Sequence, residues 1–181
     1  MPNPAFTSNT PTSNNHVKET GFSFVCSHTP DTVYHLQGAN VPGITGSPIN
    51  VGTPLSPVMI PGDNLEYEPL TVTFMVDEEI ANWRELHTWM DHLYTAKNTA
   101  DLTTLRDGRF ISDALGGGVT DATLTIRSNK QNPTCRVKFH EIFPTSLSEL
   151  QFTTASDGAE NLVATCVFSY NTYTIDYLKD S

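Results

Sequence analysis

Residues 62–94 read GDNLEYEPLTVTFMVDEEIANWRELHTWMDHLY. A strand, an acidic turn and an amphipathic helix follow one another there, and that order limits the folds open to the chain. Leu70, Val72, Phe74 and Val76 alternate with Thr71, Thr73 and Met75, the period of a strand with one buried face. The spacing predicts a strand over Leu65–Val76. Pro69 should mark an edge or a bulge, because it has no N–H to donate. Asp77 fits a helix N-cap, with Glu78 and Glu79 in the first turn, where the helix dipole favours negative charge. Ile80, Trp83, His87 and Met90, widened by Leu86 and Leu93, recur at helical spacing. They predict one helix over about 78–94.

Most of the remaining chain reads as strands. Phe22, Phe24 and Cys26 alternate, and Val33–Ala39 follows as a second strand after the turn at Thr29-Pro30-Asp31. Val41–Gly62 holds five Pro and four Gly, too many breakers for a central strand. An extended excursion with short edge strands near Ile49–Val51 and Val58–Ile60 is expected. Ala122, Leu124 and Ile126 alternate, and so do Cys135, Val137 and Phe139, with Arg136, Lys138 and His140 opposite. Phe143–Phe152 reads as a connector and Leu162–Tyr173 as a long last strand. Residues 95–120, with Gly116-Gly117-Gly118, fit a long loop or flap. Residues 1–20 are Asn, Thr, Ser and Pro with little to bury and read as a flexible arm. The expected organisation is this arm and one domain over 21–177. Its fold class is α+β: an antiparallel β-sandwich or barrel-like sheet with one flanking helix and long loops.

Charge and composition exclude several function classes. Twenty Asp and Glu against ten Lys and Arg give a formal charge of −10, a surface that repels phosphate. Charged residues make up 17%, below the usual quarter. That deficit fits a surface covered by partners, and a Thr/Ser/Asn-rich β-protein equally well. There is no long apolar run for a membrane span. The N-terminus lacks the basic and apolar regions of a signal peptide, so no leader is expected. Cys26, Cys135 and Cys166 have no paired spacing and read as buried free thiols in a reducing cytoplasm.

No constellation for catalysis stands out. His87 and His92 share the helix but lie about 140° apart around its axis, so they form no metal pair. His87 sits on the apolar stripe as a packing or interface residue, and His140 on a solvated or interfacial strand face. His16, His28 and His35 have no ligand partners at metal-like spacing. Asp77, Glu78 and Glu79 are explained by the helix start without acid–base work. Glu66 and Glu68 are two carboxylates on a polar strand face. The Gly116–Gly118 run is followed by Val and Thr, so it is no phosphate loop. No cofactor, no metal and no enzymatic activity are expected.

Several segments together resemble a known family. They are Pro61-Gly62-Asp63, Tyr67-Glu68-Pro69-Leu70-Thr71-Val72-Thr73-Phe74, Val76-Asp77-Glu78-Glu79, Asn82-Trp83 and Trp89-Met90. Leu36–Gly46, Asp121–Phe143 and Ala164–Tyr170 agree with them. In this order the chain resembles the tail-tube-fold proteins of contractile-tailed phages, and within them the tail completion and sheath-stabilising, or tail tube terminator, group. The resemblance implies a sheet-based tube domain, six copies closing a ring around a lumen, and rings stacking coaxially. It implies a virion protein made in the host cytoplasm, whose partners are itself and the tube, sheath and neck proteins. DNA would pass through the lumen without specific binding, and an acidic lumen would keep it from sticking. Val41, Ile44, Pro48, Val58, Ile60, Pro61, Tyr67, Arg136 and Lys138 are the expected inter-subunit or inter-ring contacts. Within the same fold, the alternative roles are the major tube subunit and the baseplate tube initiator. From another class, the alternative is a small hydrolase or binding module.

Overall fold

The computed structural model describes residues 16–52, 56–94, 118–153 and 161–178. Its elements are β1 (Phe22–Cys26), α1 (Pro30–Tyr34), β2 (Leu36–Ala39), β3 (Ile44–Val51), β4 (Val58–Tyr67) and β5 (Leu70–Met75). After these come α2 (Ala81–Tyr94), β6 (Thr120–Arg127), β7 (Pro133–Leu147), β8 (Val163–Ser169) and β9 (Thr172–Tyr177). Every strand pairing is antiparallel.

One long strand joins two sheets. The first half of β7 pairs with β6 on one side and β9 on the other, and β6 pairs with β1. The second half pairs with β8, which leads through β5 to β2. The change of partners falls at Glu141, whose φ of 56° lies in the left-handed region. Local polar contacts hold this bend. The Glu141 N–H donates to Asp121 Oδ1 at 3.1 Å, and Asn171 Nδ2 donates to Glu141 Oε2 at 3.0 Å. β8 and β9 break at Tyr170–Asn171 opposite the same point, where the Asn171 N–H reaches His140 O at 3.1 Å. A bulge of this kind re-aims a strand without ending it. The result is barrel-like but open: β1 and β2 are the ends of the strand path and do not pair. A cleft of about 750 Å³ lies between them, lined by Phe22, Phe24, Val33 and Leu36 among others.

The core fills the concave side of this bent sheet. Strand alternation delivers Phe24, Leu70, Val72, Phe74, Leu124, Val137, Phe139, Cys166 and Phe168 inward, all buried. Helix α2 covers them with Leu86, Trp89 and Leu93. Phe74, Phe139 and Phe168 are fully buried, and aromatic side chains supply the largest buried areas per residue.

The helix differs in detail from the expected one. It begins at Ala81, so Glu78 and Glu79 lie in the turn before it, and Ile80 takes a φ of 56°. Asp77 still serves the helix start, one turn early: its Oδ1 accepts the Asn82 N–H at 3.4 Å. Asn82 is fully buried; its Nδ2 donates to Met75 O at 2.7 Å and its Oδ1 accepts the Trp83 N–H at 2.8 Å. Anchoring at Asn82 rotates the buried stripe to Asn82, Leu86, Trp89 and Leu93. His87 is exposed and stacks on Trp83, ring centroids 5.2 Å apart.

Other boundaries shift for local reasons. Pro30 at the first helical position converts the start of the expected second strand into the short helix α1. The expected strand over Leu65–Val76 is interrupted at Glu68-Pro69. β7 runs on to Leu147 through the expected connector. Pro144 is tolerated there because this half of β7 pairs with β8 alone. The expected last strand divides into β8 and β9. The flap expected over 95–120 and most of the N-terminal arm lie outside the described residues.

Helix α1 is stapled to α2 by one carboxylate. The Thr32 N–H and Oγ1 donate to Glu85 Oε2 at 3.2 and 3.1 Å. Burial pushes the Glu85 carboxyl above its usual 4.5, with the nearby Asp31 charge adding to it and the Thr32 bonds opposing. A folded-state pKa above the unfolded one means the proton favours the fold. This contribution is complete below the unfolded value and is lost as pH rises through the raised one. Thermal midpoints of wild type and Glu85→Gln, followed upward from pH 4.5, should therefore show a larger pH-dependent loss in the wild type than in the variant. Truncating Phe74 to Ala should cost about 3–5 kcal/mol, read as a lower urea midpoint with an unchanged slope.

Candidate assembly surfaces

Strands β3 and β4 form a two-stranded hairpin separate from the main sheet. All of β3 and nearly all of β4 is exposed. The register assigns its faces. Ile49 pairs with Ile60 and Val51 with Val58, so these four share one face. They are between 42% and 50% exposed. Pro48, Asn50, Met59 and Pro61 occupy the other face. Gly62 sits at the irregularity between the two halves of the hairpin; a Cβ there would lie 2.2 Å from Ser47 O. Only glycine lets the strands approach so closely.

The hairpin's base is fixed to the body by tyrosines. The Glu68 N–H donates to Gly43 O at 3.0 Å, closing the base. Tyr170 Oη donates to Glu68 O at 2.7 Å and Tyr173 Oη to Pro42 O at 3.4 Å. The Tyr67 ring meets Tyr173 and Tyr170 edge-on, at centroid distances of 5.4 and 6.2 Å, and Phe139 lies 5.1 Å from Tyr170. Burial first, then the neighbouring Tyr173, Tyr67 and Glu68, push the Tyr170 hydroxyl up to about 12. It stays a donor throughout the neutral range.

A second surface is the outer face of the four strands β1, β6, β7 and β9. The inward residues of these strands enter the core, so alternation turns Ser23, Thr125, Arg136, Lys138, Thr172 and Thr174 outward. Lys138 Nζ binds Asp176 Oδ2 at 2.8 Å across the β7–β9 ladder. That hydrogen bond and charge, with Arg136 nearby, hold the Asp176 carboxyl below its usual value. His140 Nδ1 lies 3.6 Å from Asp121 Oδ2. Among the described residues, β1 and β9 each pair on one side only, leaving two sheet edges without a partner strand there.

Of the residues expected from sequence, Val41, Ile44, Pro48, Val58, Ile60, Pro61 and Tyr67 all lie on or beside the hairpin. Arg136 and Lys138 lie apart from it, on the polar sheet face. The expectation missed Ile49 and Val51, which complete the apolar quartet, although their alternation was readable. It also missed Tyr170 and Tyr173; nothing local in the sequence pairs them with Glu68 and Pro42. Among the described residues, no three His, Cys, Asp or Glu side chains gather as a metal site. Cys26 and Cys166 are buried, and burial raises all three thiols, so they are held protonated.

This architecture matches known structures. Its fold superposes on the anti-feeding prophage tube terminating cap with a TM-score of 0.65 over 96% of this chain and 99% of the other, at 14% identity. It superposes on the sheath/tube terminator of the PVC extracellular contractile injection system with a TM-score of 0.61 over 89% and 96%, also at 14% identity. The chain shares the fold of these two tube-terminating structures. Its sequence is 30% identical to the tail tube terminator protein of Enterobacteria phage T4 over 120 residues. That match takes in 64% of this chain and 60% of the phage protein. No family model matches the chain.

The tyrosine anchor makes a local prediction. Removing a hydroxyl in Tyr170→Phe should cost about 0.5–1.5 kcal/mol, concentrated at the hairpin base. Amide exchange should accelerate in β3 and β4 and stay unchanged in β5 and β8. Equal acceleration in all four strands would refute the anchoring role.

Proposed function

We propose that this chain is a non-enzymatic virion protein that closes the end of a contractile tail tube as a six-membered ring. Its domain spans residues 21–177, and the arm of residues 1–20 reaches sheath or neck proteins. The relationship to a phage tail tube terminator and the fold shared with terminating caps support the terminator role.

One observation carries the ring: among the described residues, β1 and β9 are both edges of the same four-stranded sheet. Three antiparallel steps separate them, so they run in opposite directions. A rotation about a ring axis keeps each strand's sense along that axis. It therefore brings β9 of one copy beside β1 of the next in antiparallel pairing, which satisfies the open N–H and C=O groups of both. Repeated six times, this heterologous contact closes a continuous sheet around a lumen. DNA passes through that lumen without specific binding.

The hairpin supplies the second contact. Its quartet Ile49, Val51, Val58 and Ile60 meets an adjacent copy or the next ring, and Val41, Ile44, Pro48, Pro61 and Tyr67 extend that contact. Obligate interfaces of this kind bury about 2,000 Å² or more. The ring would be made in the host cytoplasm, join the end of the tube and hold the last sheath ring.

A second reading, the repeating tube subunit or its initiator, is favoured by one observation. The fold also superposes on a chain of the PVC sheath–tube complex, with a TM-score of 0.56 at 12% identity. A terminator stacks on one face, a tube subunit on both. Sedimentation and negative-stain images of the purified protein should show discrete six-membered rings; open-ended tubes would sink the terminator role, and a lone monomer the ring itself. Ile49→Asp or Ile60→Asp should weaken assembly by roughly 30-fold, the scale of one interface hot spot. Met59→Lys, on the other hairpin face, should not.

A further inference from the structure

Two rows of side chains cross the sheet of β1, β6, β7 and β9 from edge to edge. In one, Phe24 pairs with Leu124, Leu124 with Val137 and Val137 with Ile175. In the next, Phe22, Ile126, Cys135 and Tyr177 follow one another in the same way. Paired residues share a face of a sheet. Phe24, Leu124 and Val137 are buried, so both rows face the core. Each row ends uncovered at β9. Ile175 is 44% exposed and Tyr177 80%, against 4% or less for Phe24, Leu124 and Val137. Tyr173, the third inward residue of β9, is already engaged in its own copy, with Pro42 O and the Phe139 ring.

The opposite edge carries a recess at the same rows. The cleft of about 750 Å³ beside β1 is walled by Phe22 and Phe24, the β1 ends of the two rows, and by Val33 and Leu36 across from them. Glu19 and Gln37 also line it. One edge of the sheet thus projects apolar side chains and the other holds an apolar hollow. A heterologous contact, the kind that closes a ring, joins two such unlike patches.

We infer that Ile175 and Tyr177 of one copy fill the cleft between β1 and β2 of the next and complete its core. The inference rests on the ring reading and adds side chains to its backbone pairing. With the rows carried across the junction, Tyr177 comes beside Phe22 and Ile175 beside Phe24. The pleat sends both toward Val33 and Leu36, away from the bore. A slip of one residue would exchange the faces. It would put Thr174 and Asp176 into the apolar cleft, where an ionised carboxylate is costly. The cleft therefore selects the register as well as the partner. Aromatic pairs directly across a ladder add to its stability, and Glu19 and Gln37 offer the Tyr177 phenol polar partners. The core of each copy is incomplete until a neighbour docks.

The test is disulfide trapping in the full-length protein. A chain carrying Phe22→Cys is mixed with one carrying Tyr177→Cys, assembled and oxidised. Within one chain these positions lie three strand spacings apart, about 14 Å, too far for a disulfide. A cross-linked dimer is therefore expected from the mixture and from neither chain alone, and a ladder of multimers from the double variant. Val25→Cys, on the outer face of β1, should not link to Tyr177→Cys. Separately, Tyr177→Ala should leave the urea midpoint of the single chain unchanged, because the side chain is exposed there. It should weaken assembly roughly 30-fold by sedimentation, the scale of one interface hot spot. Rings that form without a link from Tyr177→Cys to either Phe22→Cys or Phe24→Cys would overturn the inference and leave the ring standing. So would a link to Val25→Cys in their place. If Tyr177→Ala assembles normally while deletion of residues 1–15 lowers the midpoint of the single chain, the arm occupies the cleft and the inference falls. A wild type that stays monomeric at every concentration overturns the ring reading, and this inference with it.

Discussion

The structure depends on the bend in β7 at Glu141. One strand serves two sheets there, and everything else takes its position from that turn. The left-handed backbone at Glu141 is unfavourable for a residue with a side chain, on the order of 1–3 kcal/mol. Asp121 and Asn171 hold it from the flanking strands. Beyond the bend, β6, β7, β9 and β1 form one layer and β7, β8, β5 and β2 the other. Phe74, Phe139 and Phe168 fill the angle between them, and α2 covers the opening. Without the bend the sheet would be flatter and the helix would have no concave face to cover.

Much of this architecture was legible in the residues, because alternation reports burial directly. The cores of β1, β5, β6 and β7 and the existence of α2 follow from it. What was not legible depended on partners distant in sequence. The helix stripe centred on Trp89, not on Ile80 and Trp83, because Asn82 is pinned to Met75 and Asp77. No period reveals a buried amide. β7 read as ending near His140, because the switch at Glu141 and the proline at Pro144 look like a break when only one strand is in view. The hairpin was half seen: its prolines and glycines hid two strands that pair with each other and avoid the main sheet. The segments that carry the resemblance pointed to the fold more directly than any single periodicity did.

The hairpin and the tyrosine anchor work as a pair. An exposed apolar hairpin on a free joint would lose much conformational entropy on docking. Tyr170 and Tyr173 reach back to Glu68 and Pro42 and remove that freedom in the single chain. The quartet Ile49, Val51, Val58 and Ile60 is thus presented at a set angle before any partner arrives. The close approach at Gly62 and Ser47 adds stiffness halfway along.

The free edges β1 and β9 have a consequence for how such chains diverge. An even number of strands between two edges is what makes those edges run in opposite senses. In the proposed ring, adding or losing one strand would make the junction between copies parallel and change its hydrogen-bond geometry at every junction at once. Adding two, as a hairpin, would leave the junction as it was and only widen the circle. If copies close as proposed, strand number should change in steps of two, and insertions elsewhere should take the form of excursions that leave the sheet, as β3 and β4 do here. Parity is a heritable constraint that no single residue encodes.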